Sequence, residues 1–453
     1  MSHSFSSRNG FRVFAAFVAT AAVTTGCSAG SLGSSDDGGG DGGAGGDGGG
    51  TVELTLLAAN NPATLTQVEA LATAFSEENP DVSIEVESRP GGTEGDNLVK
   101  TRLSTGDMAD VFVYNSGSLL QALNAPETLV PLSDEAWVDD LAEPFVVAAT
   151  IDDELYGAPV GSGQAGAVLY NKALYEELGL EVPQTWDEFM ANNATIAEQS
   201  DAAPVIQTYG ETWTSQLFVL GDFHNVLQAE PDFAEQYTAG EMKYATSEPA
   251  IQGFVHQQEV FDAGYMNEDF ASATYADGVR MLAEGEGVHY PMLTSALIEL
   301  ANSYPDAIED IGVFGMPGPD ASTHGMTIWT PDAAYIPQTT EGDKLEAAKE
   351  LLAFIASPAG CEVLAAAATP TGPYMVEGCE LPADVPSAVQ DIQTYLDEGK
   401  TSPALEFLSP IKGPNLENLT VEVGSGIRSA QEAAELYDQD VVQQAQQLGL
   451  DWE

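Results

Sequence analysis

The stretch that decides the fold runs from Leu155 to Phe189 and reads LYGAPVGSGQAGAVLYNKALYEELGLEVPQTWDEF. Two short apolar runs, residues 155–160 and 167–170, predict strands on either side of a glycine-rich segment. A pattern of helical period follows and stops at Gly179, because glycine commonly follows the last turn of a helix. Thr185 lies three residues before Glu188, which predicts a capping box at the start of a second helix.

The order of motifs in this stretch resembles a known family. YG-x-P-V, small residues, YNK, G-L and P-x-TWDEF follow one another as they do in the family 1 extracellular solute-binding proteins, the maltose-binding-like receptors of sugar ABC importers. In that family this stretch is the first crossing between two lobes. The resemblance implies an α/β, two-lobed, periplasmic-binding-protein-like (type II) fold with several hinge crossings. Residues 321–337 resemble the second crossing, and residues 369–375 are the expected third.

Charge narrows the possible partners. The chain has 453 residues with 71 acidic and 13 basic side chains, which gives a net charge of −58. Such a body repels phosphate backbones and anionic lipid headgroups, so we do not expect nucleic-acid binding. We interpret the acidity as a feature of an acid-rich or salt-adapted extracellular protein.

The first 50 residues predict export and anchoring. Residues 1–26 combine arginines with an apolar run of about a dozen residues, as a signal peptide does. Gly26-Cys27 resembles a bacterial lipoprotein cleavage box, which implies a lipid on Cys27 and attachment to the outer face of the cell membrane. Thr24 departs from that box, and an ordinary secretory signal is the alternative. Residues 27–50 predict a lipidated cysteine followed by a Gly/Asp-rich tether, because they cannot bury a core.

The folded part begins with a β-α-β-α-β pattern. Strands are predicted at 52–57, 82–86 and 109–114, with helices beginning at Pro62 and near Asp96. This order implies a parallel sheet with right-handed crossovers. Ligands bind beyond the carboxyl ends of such strands, which here are residues 60–61, 89–94 and 114–118.

The lobes are predicted to be discontinuous in sequence. We expect residues 51–160 and 330–372 to form lobe 1, and residues 161–329 and 373–453 to form lobe 2. Helices are predicted in the second lobe near 186–199, 213–228, 248–263, 275–284 and 292–303, and residues 344–357 predict an amphipathic helix of the first lobe.

Two cysteines remain once Cys27 serves as an anchor. An exported chain with two cysteines favours a disulfide between Cys361 and Cys379. Two free thiols are the alternative. No histidine is near either cysteine in sequence, so a metal site is not predicted.

Aromatic rings and planar polar groups provide the candidate site. Pyranoses are recognised by rings that stack on their apolar faces and by amides or carboxylates that pair with hydroxyls. Core packing is the alternative for every aromatic residue, and Trp186 is assigned to the core. The predicted ligand-binding residues are Asn60, Glu94, Tyr114, Asn115, Gln164, Trp213, Tyr290, Trp329 and Tyr374.

Other motifs are assigned to structure. Residues 161–166 match G-x-G-x-x-G, but a second strand pattern follows where a dinucleotide site needs a helix. Residues 152–154 are read as a solvated acidic turn. His289 is read as a hydrogen-bonded strand residue. We predict no catalytic residue, no metal ligand and no cofactor.

The predicted function is the substrate-binding component of an ABC importer. The chain would capture a mono- or oligosaccharide by hinge closure and deliver it, as a monomer, to a membrane permease. One alternative is a binding protein for a cationic or other small solute, held by an aromatic cage. A surface-anchored carbohydrate hydrolase is the other.

Overall fold

The structure is a computed structural model that describes residues 51–450 and Trp452. The predicted signal peptide, Cys27 and the tether lie outside the described residues. The described part contains two main sheets with helices packed on their faces. The strands are β1 Val52–Ala59, β2 Val82–Arg89, β3 Val111–Tyr114, β4 Thr150–Ile151, β5 Glu154–Leu155, β6 Gly157–Val160, β7 Gln164–Asn171, β8 Ala203–Val205, β9 Gly287–Leu293, β10 Ile311–Gly315, β11 Met326–Trp329, β12 Asp332–Tyr335 and β13 Thr401–Pro403.

The α-helices follow the strands in chain order and include several single turns. They are α1 Pro62–Glu78, α2 Gly92–Thr105, α3 Ser118–Gln121, α4 Ala125–Thr128, α5 Glu143–Ala149, α6 Lys172–Leu178, α7 Trp186–Gln199, α8 Leu217–Leu220, α9 Phe223–Ala229, α10 Phe233–Thr238, α11 Gln252–Asp262, α12 Tyr275–Glu284, α13 Ala296–Ser303, α14 Asp343–Ile355, α15 Pro358–Ala367, α16 Ser387–Asp397, α17 Leu405–Leu408, α18 Leu416–Gly424 and α19 Ala430–Gln447.

The first sheet has the strand order β2-β1-β3-β12-β6. Strands β2 and β3 run parallel to β1, as the β-α-β-α-β pattern predicts. Strand β12 comes from much later in the chain and pairs antiparallel with both β3 and β6. The first lobe is therefore completed by a segment that follows most of the second lobe in sequence.

The second sheet has the order β13-β11-β7-β9-β8. Strand β7 is its centre, because β9 pairs along one edge while β11 and β10 share the other edge. The glycine-rich segment thus enters a strand earlier than predicted, at Gln164 rather than Ala167. No helix opens on Gly166, in agreement with the reading that excluded a dinucleotide site.

The chain passes between the two sheets at two places, and each crossing is only a few residues long. It leaves β6 at Val160 and enters β7 at Gln164, and it leaves β11 at Trp329 and enters β12 at Asp332. These two crossings lie where the two motif-bearing stretches predict them. The two-lobed α/β class is confirmed.

The helix ends follow the predicted local chemistry. The side chain of Asn61 accepts from the backbone N–H of Thr64 at 2.9 Å, which caps α1. Thr185 and Glu188 form the predicted capping box of α7. The predicted helix over 213–228 is wrong in detail, because it breaks at Gly221, where a Cβ would lie 2.7 Å from the carbonyl of Leu217.

Late helices pack onto both lobes. Helices α14 and α15 contact α1 of the first lobe, whereas α18 and α19 contact α11. No single described helix is long and apolar enough to span a membrane, and α14 with α15 passes that test only as a pair bent by 71°. Their apolar residues, such as Leu351 and Leu352, are buried in the core.

Cys361 and Cys379 form a disulfide with Cα atoms 5.9 Å apart. It joins α15 to the segment after residue 372. Val376 in that segment pairs with Leu141, and the backbone N–H of Ala142 donates to Met375. The predicted lobe boundary at 372 remains a prediction, and residues 374–379 lie against elements of the first lobe.

Candidate functional site

A cleft of about 270 Å³ lies where the two crossings meet the carboxyl end of β3. That volume is near the lower end of the range of small-molecule sites, roughly 300–1,000 Å³. Both sheets and several helices contribute to its walls. The lining residues are Thr64, Gln67, Val113, Asn115, Ser116, Ser118, Leu119, Val160, Gly161, Ser162, Gln164, Ser295, Ile298, Trp329, Thr330, Pro331, Asp332, Thr369, Thr371, Glu406 and Phe407.

The chemistry of this lining is polar with few charges. Hydroxyl and amide side chains predominate, and no lysine, arginine or histidine is among the described residues that line the cleft. Two carboxylates, Asp332 and Glu406, are the ionisable lining groups with negative charge. The cleft therefore offers many hydrogen-bond partners to a neutral ligand and no cation to neutralise an anionic one.

Trp329 provides the indole ring of the cleft. It ends β11 opposite Gln164 of β7, and it is 8% exposed. The ring lies against Gly166, where a Cβ would come within 2.4 Å of the ring carbon Cζ3. Ala148 and Phe407 belong to the same apolar cluster as Trp329. This packing fixes the ring and leaves one part of it at the cleft.

Glu406 accepts a hydrogen bond from the indole ring of Trp329. The indole N–H of Trp329 donates to Oε1 of Glu406, and the ammonium of Lys412 donates to Oε2 at 3.1 Å. Both oxygens of Glu406 are thus engaged before a ligand binds. Its role in this structure is to orient Trp329.

Asp332 is the other carboxylate and is differently placed. It begins β12, directly after the second crossing, and it is half-buried. No described residue donates a hydrogen bond to the carboxylate of Asp332. Burial raises the pKa of Asp332 above its ordinary value, and the positive charge of Arg89 acts in the opposite direction. Asp332 is therefore the lining carboxylate with oxygens open to a ligand.

Two of the three amides that were predicted as ligand contacts lie in the cleft. Asn115 follows β3, is exposed, and uses its backbone carbonyl to accept from the hydroxyl of Tyr335 at 3.1 Å. Gln164 begins β7, and its Oε1 is buried without a hydrogen-bond partner in the described structure. A buried unpaired acceptor is costly, so a ligand donor at this point would be favourable.

Hydrogen bonds join the crossing after β6 to residues near 371. The backbone N–H of Thr371 donates to Oγ of Ser162 at 2.9 Å, and Gly163 donates to the carbonyl of Pro373 at 2.7 Å. Thr294 donates to the carbonyl of Thr371 at 2.8 Å and accepts from Ala165 at 2.8 Å. The first crossing and the predicted third crossing are therefore held side by side at the cleft.

Three predicted aromatic contacts lie away from the cleft surface. Tyr114 is buried in the core of the first sheet with its ring under the guanidinium of Arg89. Tyr290 is 1% exposed and shares a hydrogen bond with Thr208 at 2.9 Å. Tyr374 is 9% exposed beside Ser162, and burial raises its pKa to about 12. Tyr114 and Tyr290 are buried among residues of the same hydrophobic core.

Three further predicted residues lie on the surface. Asn60 follows β1 and Glu94 lies in the first turn of α2; both are exposed and neither lines the cleft. Trp213 is 37% exposed, packs on Tyr275 and donates to Glu211 at 3.2 Å. The structure thus brings Asn115, Gln164 and Trp329 together and leaves the other six apart, and their ligand roles remain predictions.

Several lining residues were missed. Asp332 directly follows the Trp-Thr-Pro of the second crossing, and this position is a signal that could have identified it. Glu406 and Phe407 come from α17, a single turn about 75 residues later in the chain, and no local pattern marks them. Thr64 and Gln67 are partly buried residues of α1, and helical periodicity does not assign them to a ligand.

Metal-ligating clusters and the strand histidine His289 were considered in the sequence and can be assessed in the described residues. No group of three or more His, Cys, Asp or Glu side chains is placed to hold a metal ion within residues 51–450. His289 is buried, accepts or donates at Tyr175 and Asn193, and has its pKa lowered to about 3 by burial. It is a hydrogen-bonded strand residue, as predicted.

Comparison with known proteins identifies relatives. The sequence matches the family described as bacterial extracellular solute-binding protein over residues 58–360, about two thirds of the chain. The multiple sugar-binding protein of Streptococcus mutans is 24% identical over 268 residues, which cover 57% of this chain and 61% of that protein. The melibiose/raffinose/stachyose-binding protein of Bacillus subtilis is 22% identical over 67% of this chain and 70% of its own length. The first alignment thus leaves more than a third of the relative unmatched.

Solved structures show the same fold. The binding protein MsmE of Bacillus subtilis, in an open conformation, superposes with a TM-score of 0.73 at 17% identity and covers 88% of this chain and 99% of that one. The apo form of RafE from Streptococcus pneumoniae gives 0.71 at 18% identity, over 88% and 98% of the two chains. Both share the two-lobed architecture described above. With a family match over most of its length and this fold, the chain belongs to the bacterial extracellular solute-binding proteins.

Proposed function

We propose that this chain is the substrate-binding component of an ABC importer, and that it captures a neutral mono- or oligosaccharide in the cleft. The observation that carries the proposal is the lining itself: hydroxyls, amides and one free carboxylate surround the edge of Trp329, without a basic side chain. Sugar hydroxyls pair with such groups, and an indole suits the apolar face of a pyranose. The names of relatives that bind raffinose, stachyose and other sugars point in the same direction.

Hinge closure is the proposed mechanism. The crossings at residues 161–163 and 330–331 and the segment 369–375 would bend while each lobe moves as a body, with the lobe boundaries predicted from the sequence. A ligand that contacts both lobes stabilises the closed arrangement by its difference in affinity for the two arrangements. Residues from both sides of each crossing line the cleft, which supports this mechanism. The closed protein would then present the sugar to a permease, as a monomer.

Export and anchoring complete the proposal. The family is extracellular, and the apolar run before Cys27 supports a signal peptide followed by lipid attachment at that cysteine. In cells, a Cys27→Ser chain should move from the membrane fraction to the medium. Retention of this variant in the membrane would refute the lipid anchor while leaving the binding function intact.

A binding screen tests the ligand class. The secreted Cys27→Ser chain is heated with raffinose, stachyose, melibiose, N,N′-diacetylchitobiose, xylose, arabinose, a sugar phosphate and choline. A ligand at 100 times its dissociation constant should stabilise the fold by about 2.7 kcal/mol. Stabilisation by one neutral sugar class, without product after overnight incubation, supports the proposal.

Two other outcomes would change the assignment. The free carboxylate of Asp332 beside Trp329 also suits a cationic solute, so a shift with choline alone would favour a cation-binding protein. Members of this family are binding proteins, and we propose that this chain has no enzymatic activity. Consumption of a saccharide would favour a hydrolase, although both oxygens of Glu406 are already engaged by Trp329 and Lys412.

A further inference from the structure

Arg89 is a buried arginine without an ion pair. It ends β2, is 5% exposed, and no described carboxylate lies within ion-pair distance of it. Its Nη1 donates to the carbonyl of Pro90 at 3.1 Å and its Nη2 to that of Val113 at 3.4 Å, while Nε has no partner in the described structure. Burying an unpaired charge is expensive, so this arrangement calls for a functional reason.

The guanidinium of Arg89 packs on Tyr114 and is not part of the cleft lining. Its central carbon is 5.2 Å from the ring centre of Tyr114 on β3. Tyr114 pairs with Ala333 of β12. Asp332, which lines the cleft, directly precedes Ala333 on that strand. Arg89 is absent from the lining. Tyr114 is thus in contact with the arginine and lies on the strand beside the one that carries Asp332.

The other groups around Asp332 give it no positive charge. The phenols of Tyr114 and Tyr335 interact with it from β3 and β12, and Asp96 of α2 acts on Tyr114. Glu406 is a second negative group in the same cleft. Arg89 is therefore the cation that acts on Asp332 within the described part of the chain.

Closure of the lobes increases the effect of the Arg89 charge on Asp332. When the lobes close on a ligand, water leaves the cleft and the cost of a charged carboxylate rises. A cation inside the cleft would offset that cost but would occupy the carboxylate oxygens. Arg89 supplies positive charge without lining the cleft, and both oxygens of Asp332 stay free to accept hydroxyl donors.

We propose that Arg89 is a positioning residue for ligand binding, whose buried charge keeps Asp332 ionised as the acceptor for ligand hydroxyl or amino donors. The inference rests on the proposed function and narrows its ligand class. Saccharides with adjacent free hydroxyls fit this acceptor, whereas acidic sugars such as uronates would place a second anion against it. Asp332 then selects the ligand, and Arg89 acts through Asp332.

The neighbouring helix holds the guanidinium in place. At Gly95 of α2 a Cβ would lie 2.6 Å from Nη1 of Arg89 and 1.9 Å from the carbonyl of Pro90. A side chain at position 95 would overlap both groups, so Gly95→Ala should displace the guanidinium of Arg89. This residue offers a second way to disturb Arg89 without removing its charge.

The first test needs no ligand. The stability of the Cys27→Ser chain and its Arg89→Met, Asp332→Asn and double variants is measured by urea unfolding between pH 4 and pH 8. If Arg89 stabilises ionised Asp332, Arg89→Met should lower the unfolding midpoint more at pH 8 than at pH 4. In the Asp332→Asn background, the effect of Arg89→Met on the unfolding midpoint should be the same at pH 8 and pH 4. Arg89→Lys, which keeps the charge, should retain the profile of the parent chain.

The second test uses titrations of raffinose, N,N′-diacetylchitobiose and galacturonate. Hydrogen bonds to charged groups are worth about 1.5–3 kcal/mol, so Arg89→Met and Asp332→Asn should each weaken neutral-sugar binding at pH 7 by about 10-fold or more. The double variant should bind no more weakly than Asp332→Asn. With Arg89→Met, affinity should begin to fall at a higher pH than in the parent, because Asp332 protonates more readily.

A matched control separates this coupling from general charge effects. Arg102 of α2 is a partly exposed cation paired with Glu87 at 2.9 Å, and Arg102→Met should leave both pH profiles unchanged. Additive effects of Arg89→Met and Asp332→Asn, with no change in pH dependence, would overturn the proposal and make Arg89 a packing residue. If no sugar binds but the unfolding data show the coupling, the sugar assignment fails and the Arg89–Asp332 pair stands.

Discussion

Replacing Gly117 by alanine should weaken ligand binding through a contact between the two lobes as they are predicted from the sequence. Gly117 follows β3 in the first lobe and has φ 70° and ψ −135°, a conformation open essentially to glycine. A Cβ there would lie 2.7 Å from the carbonyl of Glu406 and 2.7 Å from Cδ1 of Phe407. Both of these residues belong to α17, which follows the last strand of the second sheet.

Two costs of this substitution can be separated. The backbone strain is about 1–3 kcal/mol and is present in every folded arrangement. Overpacking against Phe407 costs about 1–3 kcal/mol, but only while the lobes are in contact at this point. If the ligand-bound arrangement keeps the contact, the second cost opposes binding and reduces affinity by roughly 5- to 150-fold.

Gly342 provides a matched control. It precedes α14 with φ 62° and ψ −138°, and a Cβ there meets nothing within 4 Å. Gly342→Ala therefore carries the same backbone strain without the clash. Thermal unfolding should show a similar loss for both variants, whereas calorimetric titration with the bound sugar should show weaker binding for Gly117→Ala alone.

Solution scattering adds a measurement without ligand. Gly117→Ala should increase the radius of gyration relative to the parent and to Gly342→Ala, because separating the lobes relieves the clash. Equal affinity and equal radius for the two variants would refute the reasoning and show that the Gly117–Phe407 contact plays no part in the binding equilibrium.

Three further predictions concern stability. Replacing Cys361 and Cys379 by serine should cost about 3 kcal/mol in urea unfolding, since the bond closes a loop of intermediate length, and a reductant should reproduce this loss in the parent but not in the variant. Burial raises the pKa of Asp222 to about 8 from 3.8, so the folded state holds a proton that the unfolded state releases. Stability should therefore fall as pH rises from about 4 to about 8, by at most about 1.4 kcal/mol per pH unit, and Asp222→Asn should flatten this slope. Tyr290→Phe should cost about 1 kcal/mol by removing the hydrogen bond to Thr208 and should leave sugar affinity unchanged; a loss of affinity would restore Tyr290 to the site.

The fold of the first lobe was readable because its signals are local. Alternating or continuous apolar residues mark β1, β2 and β3, and Asn61 with Pro62 marks the start of α1. The capping box at Thr185 fixed the start of α7 in the same way. The break at Gly221 was missed because no local pattern marks it. A Cβ at this glycine would lie 3.3 Å from the carbonyl oxygen of Gly166 on a distant strand.

The candidate site was only partly predictable, and the sheet order explains why. Ligands bind at the carboxyl ends of strands, and this rule identified Asn115 beside the cleft. Asn60 and Glu94 follow β1 and β2, which lie on the far side of β3 from β12 and the crossings. Neither residue lines the cleft, whereas Thr64 and Gln67 of the helix after β1 do. That order is set by β12, which no local pattern could assign to a position between β3 and β6.

The late arrival of β12 has a consequence for how the protein is made. Until Tyr335 has left the ribosome or the export channel, β3 and β6 face each other across an empty strand position and expose unpaired backbone edges. Exposed edges of this kind invite pairing with other chains. We therefore expect residues 51–160, the part of the predicted first lobe that precedes β12, to aggregate when they are expressed alone. A circular permutant whose chain begins at Asp332 would make β12 before β3 and β6, and it should fold sooner during synthesis than the natural chain order.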